Sequence, residues 1–128
     1  MKKTFEVKDS GDRQIFESGA QRDIQDGKGR FDLLPPIAMI RIAKHFENGS
    51  LKYGIDNWKK GIPLRRYTDS MMRHAYKFLG GDSSEDHLSA VIWNALCLIE
   101  SQELISRGKL PKDLDDLPPK VWNDDENI

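Results

Sequence analysis

The chain has 128 residues, the length of one domain. Charged residues make up 32% and apolar ones 38%, a balance that excludes wholesale disorder. With 20 basic and 21 acidic side chains the net charge is −1, so no global field draws the chain to nucleic acid or to a membrane, and any anion binding has to be local.

Residues 1–30 are polar and rich in Gly, Asp, Lys and Arg, without a sustained hydrophobic period, and read as an extended arm. Nothing near the N-terminus has the apolar stretch of a signal peptide, and the longest apolar run, Val91 to Ile99, is short for a bilayer. The expected location is the cytoplasm. A helical core follows over 31–108. Proline fits a first helical turn and the residue before it resists the α region, so Pro35-Pro36 predicts a helix from about Pro36. Ile37, Ile40, Ala43, Glu47 and Leu51 make one stripe, with Met39, Ile42 and Phe46 beside it. Asn48-Gly49 bends or ends this helix, or Gly54 ends it.

A loop from Lys52 to Leu64 leads to a second helix that starts between Pro63 and Thr68 and stops at Gly80-Gly81, with Tyr67, Met71, His74 and Phe78 inward. A third begins after Ser83-Ser84, where Asp86 completes a capping-box-like pattern, and runs to about Ser106. Its stretch from Leu88 to Ile99 is apolar on nearly every face, which predicts the most buried helix. Cys97, the single cysteine, lies inside it and reads as a buried, inert thiol. Residues 109–128 form a polar tail able to dock through Leu114, Leu117 and Trp122. The fold class is all-α, a small helical bundle with an extended N-terminal arm and a polar C-terminal tail. A core this short is often completed by a second copy, so a homodimer or homotetramer is expected.

Polar residues on inward stripes carry the chemistry, because burying them unsatisfied costs about 1–3 kcal/mol. Glu47 shares a stripe with Ile40 and Ala43, while His87, Val91, Asn94 and Leu98 share a face of the third helix. Carboxylates converging from facing helices can hold a hard cation and leave positions for phosphate oxygens. Each residue also has a plainer reading. Glu85 and Asp86 suit a first helical turn through the dipole alone, His74 suits a hydrogen-bonded core imidazole, and Asn94 suits a bridge between helices.

A second group is basic and loop-borne. Lys28 and Arg30 lie among glycines, and Lys52, Tyr53, Asn57 and Trp58 add an ammonium, an amide and two aromatic faces. Arg65 and Arg66 stand at a helix start, which favours anions. Phosphates with a stacked base require such residue types. There is no P-loop, no dinucleotide-binding glycine pattern and no zinc spacing.

Taken in order, Gly19-Ala20-x-Arg22-Asp23, Gly27 through Pro36, Glu47-x-Gly49-x-x-Lys52-Tyr53-Gly54, Asn57-Trp58-x-x-Gly61, Arg73-His74, Glu85-Asp86-His87-Leu88 and Trp93-Asn94 resemble the phage-associated dATP/dGTP diphosphohydrolase N-terminal domain family. The resemblance implies an oligomeric, MazG-like all-α bundle. It implies Mg²⁺ or Mn²⁺ on acidic side chains, and conversion of a purine dNTP to dNMP and pyrophosphate. In that scheme Glu47 and Asp86, with Glu85, hold the cation, and Lys52, Arg65 or Lys28 meets the developing charge. His87 and Asn94 position the metal shell or the sugar, and Trp58 or Tyr53 stacks on the base. The paired acids of the MazG-like pattern are incomplete here: Ser50 and Leu51 follow Glu47, and Ser89 and Ala90 follow Asp86. The alternative reading is therefore a protein that sequesters nucleotide without hydrolysis. A third, a nucleic-acid accessory protein using Lys59, Lys60, Arg65 and Arg66 with Trp58 and Tyr67, is disfavoured by the near-neutral charge and the acidic tail.

Overall fold

A computed structural model describes residues 7–122. The chain divides into two compact units, Met1–Leu34 and Pro35–Ile128.

The first unit is not simply an arm. Strands β1 (Arg13–Ile15) and β2 (Gln21–Asp23) pair antiparallel, with Arg13 opposite Asp23 and Ile15 opposite Gln21. Phe16 and Ala20 close the connecting turn through an N–H to carbonyl bond of 2.9 Å, and Gly19 supplies the positive φ (85°) that the turn requires. The Asp23 carboxylate accepts from the Ser10 hydroxyl and, at 3.0 Å, from the Lys28 ammonium. Those bonds hold Asp23 well below the ordinary carboxylate range. A 3-10 turn, Phe31–Leu33, ends the unit, with the Arg30 guanidinium clasping Asp32 at 2.7 and 2.8 Å.

The second unit is helical. Helix α1 spans Pro36–Tyr53, starting from extended Pro35 and ending at Gly54, whose φ of 90° breaks the helical path. Gly49 lies inside it without ending it. After a 3-10 turn over Asn57–Lys60 come α2 (Leu64–Leu79) and α3 (His87–Ser106), and α3 packs mainly on α2 with α1 alongside. Helices thus dominate, and the short hairpin of the first unit is the one departure from all-α among the described residues.

The centre of the unit is Leu64, Tyr67 and Cys97, with Phe46, Trp58, Ile62, Trp93, Leu98, Ile105 and Leu117 packed around them. Trp93 joins the helices, with its ring centroid 5.9 Å from Phe46 and 6.2 Å from Tyr67. The tail docks through Leu114 and Leu117, both half-buried, whereas Trp122 is exposed.

Two expectations about faces are corrected. On α1 it is Ile42, His45, Phe46, Gly49 and Ser50 that turn inward. Glu47 is exposed together with Ile37, Ile40, Ala43 and Leu51, so the stripe that contains it is the outer one. On α3 the buried line is His87, Ala90, Asn94, Cys97 and Ser101, which is polar or small, while Leu88, Ile92, Leu96 and Ile99 face outward. Ala90, Cys97 and Ser101 on that line are small, which suits packing of α3 on α2. As a continuous helix, α3 is also long and apolar enough by length and composition to cross a bilayer, which the run from Val91 to Ile99 did not convey.

Candidate functional site

The C-terminal half of α1, the loop behind it, α2 and the first half of α3 enclose a pocket of about 550 Å³. The loop is shaped by backbone that few residues adopt: Asp56 is left-handed at φ 59°, and Gly61 closes the 3-10 turn at φ 110°. A Cβ at Gly61 would meet Leu114 Cδ1 at 3.1 Å, so glycine also lets the tail leucine seat.

Four aromatic side chains line the pocket: Phe46, Tyr53, Trp58 and Trp93. Amides come from Asn48, Asn57 and Asn94, and charge from Lys52, Asp56 and Glu85. The Lys52 ammonium lies 5.0 Å from the Tyr53 ring centroid, which ties this cation to an aromatic wall. Asn94 is buried and uses both N–H donors internally, to the Ala90 carbonyl at 2.8 Å and the Ser70 hydroxyl at 3.3 Å. What it can offer a ligand is therefore its Oδ1 acceptor.

At the α2–α3 end of the pocket, His74, Glu85 and His87 each bring one ligand atom within 4.8 Å of the others, a group compatible with a divalent cation. The two Nδ1 atoms of His74 and His87 are 2.9 Å apart. Desolvation keeps His74 below the ordinary imidazole range. His87 is buried at 2% exposure, and its Nε2 lies 3.3 Å from Asp82 Oδ2. Asp82 is itself pulled down to about 2, chiefly by the hydrogen bond from the Ser84 backbone N–H.

Of the residues singled out from the sequence, Lys52, Tyr53, Asn57, Trp58, His74, Glu85 and Asn94 come together around this pocket, and His87 touches it through His74. Glu47 stands outside it on the exposed face of α1. Asp86 is the N-cap of α3, accepting from the Ser89 N–H at 3.2 Å and its hydroxyl at 2.6 Å, and it pairs with Arg41 of α1. Arg41 keeps Asp86 well below the ordinary carboxylate range. In the capping-box-like pattern at the start of α3 it is Asp86 that serves as the N-cap, three residues after Ser83. Arg65 and Arg66 are exposed in the first turn of α2, and the Arg65 N–H donates to Asp116 Oδ1 at 2.9 Å, so the chain's own tail supplies an anion there. Lys28 and Arg30 belong to the first unit and are engaged by Asp23 and Asp32. The sequence reading missed His45, Asn48 and Ser70. The first two flank Phe46 and Glu47 on a helix whose inner face was misjudged, and Ser70 carries no local signal.

The fold and site define a small helical protein with an aromatic, amide-lined pocket and a two-histidine, one-carboxylate group at its end. The family model described as "dATP/dGTP diphosphohydrolase, N-terminal" matches residues 18–109, and the chain belongs to that family. No curated protein and no solved structure matches it.

Proposed function

We propose that the protein hydrolyses a purine deoxynucleoside triphosphate to the monophosphate and pyrophosphate in this pocket. The observation that carries the reading is the joining, in a chain of this family, of aromatic faces, free amide edges and one ammonium beside a group suited to a divalent cation. Trp58 and Tyr53 offer planes for the base, and Asn57 and Asn48 offer donors and acceptors for its edge. Lys52 faces the negative charge of the phosphates, and Asn94 Oδ1 accepts from the sugar or from an ordered water. A divalent cation, when bound, supplies charge neutralisation and acidifies water. Glu85 is placed to orient a water towards the α-phosphorus and to take its proton as the bond from that phosphorus to the α–β bridging oxygen breaks and pyrophosphate leaves.

A second reading, nucleotide held without cleavage, draws on the Arg41–Asp86 pair, which occupies a carboxylate expected to serve metal. Self-association belongs to the same proposal. The outward line of Leu88, Ile92, Leu96 and Ile99 on α3, and of Ile37, Ile40 and Leu51 on α1, calls for a second copy as a homodimer or homotetramer.

The test is product analysis beside calorimetry. Incubation of the protein with dGTP or dATP and Mg²⁺ or Mn²⁺ should yield the monophosphate and pyrophosphate in equal amounts. Tight binding without product selects the second reading. Trp58→Ala should weaken nucleotide binding by about 1–3 kcal/mol, the range for a stacked base. Unchanged affinity in a folded variant would remove Trp58 from the base site.

A further inference from the structure

We infer that His74, His87 and Glu85 form a binding site for a divalent transition metal such as Mn²⁺ or Co²⁺, rather than for Mg²⁺. The inference deepens the reading above and rests on it for the role of the cation, though not for its place.

Ligand type comes first. Mg²⁺ demands oxygen ligands and keeps much of its water, whereas imidazole suits transition ions. The converging donors are two imidazoles and one carboxylate. The carboxylates that would have made an oxygen cage are elsewhere: Asp86 serves Arg41 and Ser89, and Glu47 is exposed.

Geometry lets the two imidazoles share an ion. Two nitrogens each about 2.1 Å from an ion lie about 3.0 Å apart across a right angle and about 3.4 Å apart across a tetrahedral one. His74 Nδ1 and His87 Nδ1 are 2.9 Å apart. Glu85, on the connection into α3, is exposed, and its carboxylate, within 4.8 Å of the imidazoles, would turn inwards to serve as the third ligand. His74 and Glu85 line the pocket, so the site adjoins the space proposed for the triphosphate.

The surroundings orient the ligands. His87 Nε2 has no hydrogen-bond partner among the described residues, yet it lies 3.3 Å from the Asp82 carboxylate. Negative charge on that side favours the proton on Nε2 and leaves the Nδ1 lone pair facing His74. A carboxylate behind a ligating imidazole is the usual outer-shell arrangement in metal sites. Asp82 is in turn held by the Ser84 N–H at 2.8 Å. All four side chains come from the end of α2, the α2–α3 connection and the start of α3, so one local hairpin builds the site. The competing account is an N–H···N hydrogen bond between the two imidazoles, with no ion.

The experiment uses the full chain without nucleotide. Calorimetry with Mn²⁺, Co²⁺ and Mg²⁺ measures stoichiometry and affinity, and pulsed electron paramagnetic resonance on the Mn²⁺ complex reads ¹⁴N coupling. One Mn²⁺ or Co²⁺ should bind per chain, at least about tenfold more tightly than Mg²⁺, with coupling to imidazole nitrogen. His74→Gln and the exposed-site variant Glu85→Gln should lose that binding. Asp82→Asn should weaken it roughly 10–100-fold, the range for an outer-shell partner. Absence of binding to the folded wild type, or binding unchanged in both His74→Gln and Glu85→Gln, overturns the inference in favour of the hydrogen-bonded pair. Mg²⁺-supported dNTP cleavage by a protein that binds no Mn²⁺ overturns it too and leaves the proposed function standing. Nitrogen-coupled Mn²⁺ in a protein that makes no monophosphate does the reverse.

Discussion

Replacing Asp86 separates its two structural roles, and each has a size. The carboxylate caps α3 through the Ser89 N–H and ties that helix to α1 through Arg41. Losing a cap costs about 1 kcal/mol. The pair is half-exposed, with Arg41 at 58% and Asp86 at 34%, so solvent screening limits it to about 0–1 kcal/mol. Asp86→Ala removes both and should cost about 1–2 kcal/mol. Asp86→Asn keeps a cap acceptor and should cost only the pair, as should Arg41→Ala. For a chain of this length the full loss lowers the melting temperature by roughly 3–10 °C. Melts followed by circular dichroism at pH 7 should rank Ala below Asn and Asn near Arg41→Ala. Arg41 depresses the folded Asp86 pKa from 3.8, so its stabilisation is present above that value and fades as pH falls towards the lower folded value. The gap between wild type and Asp86→Ala should therefore be full at pH 7 and narrow below about pH 4. An Ala variant that melts with the wild type at pH 7, or a gap that ignores acid, would refute this account.

The other predictions concern backbone and surface. Gly61→Ala forces a Cβ onto a positive φ and against Leu114, and should cost about 1–3 kcal/mol in a thermal melt. Gly49→Ala adds a Cβ that meets nothing within 4 Å inside α1, and should gain about 0.5–1 kcal/mol by the same measurement. Leu96→Glu places charge on the outward line of α3 and should shift sedimentation towards the monomer with helicity unchanged. An unaltered oligomer in that variant would move the interface elsewhere.

Helix ends were legible because they are decided locally. Pro35-Pro36 starts α1, Gly54 ends it, Pro63 precedes α2 and Gly80-Gly81 follows it, each through a backbone preference that no partner overrides. The hairpin escaped notice because its strands have three residues each and are almost wholly exposed, so no alternation marks them. Facing was the harder matter. Helix α1 carries two adjoining apolar stripes, and periodicity finds both without saying which one meets the chain's own core. Periodicity therefore turns Glu47 inward, whereas it lies outward. Asp86 was visible as an acid in a first turn, but the Arg41 that occupies it is 45 residues away. His74 and His87 were each picked from their own helix, while their approach to 2.9 Å depends on the turn between α2 and α3.

The burial of Cys97 makes the protein its own stopwatch. The thiol is 1% exposed and pushed up to about 12, chiefly by desolvation, so the closed form offers a thiol reagent almost nothing to attack. Once α3 lifts from α2, the same sulfur returns to an ordinary acidity and reacts. As the only cysteine in the chain, it gives a single labelling rate with no sites to sort. Under fast reclosing, that rate measures the fraction of time for which the helix holding Asn94 and Trp93 stands open. A ligand that fastens onto this pocket should be seen as a slowing of the labelling, whether or not any bond in the ligand is broken.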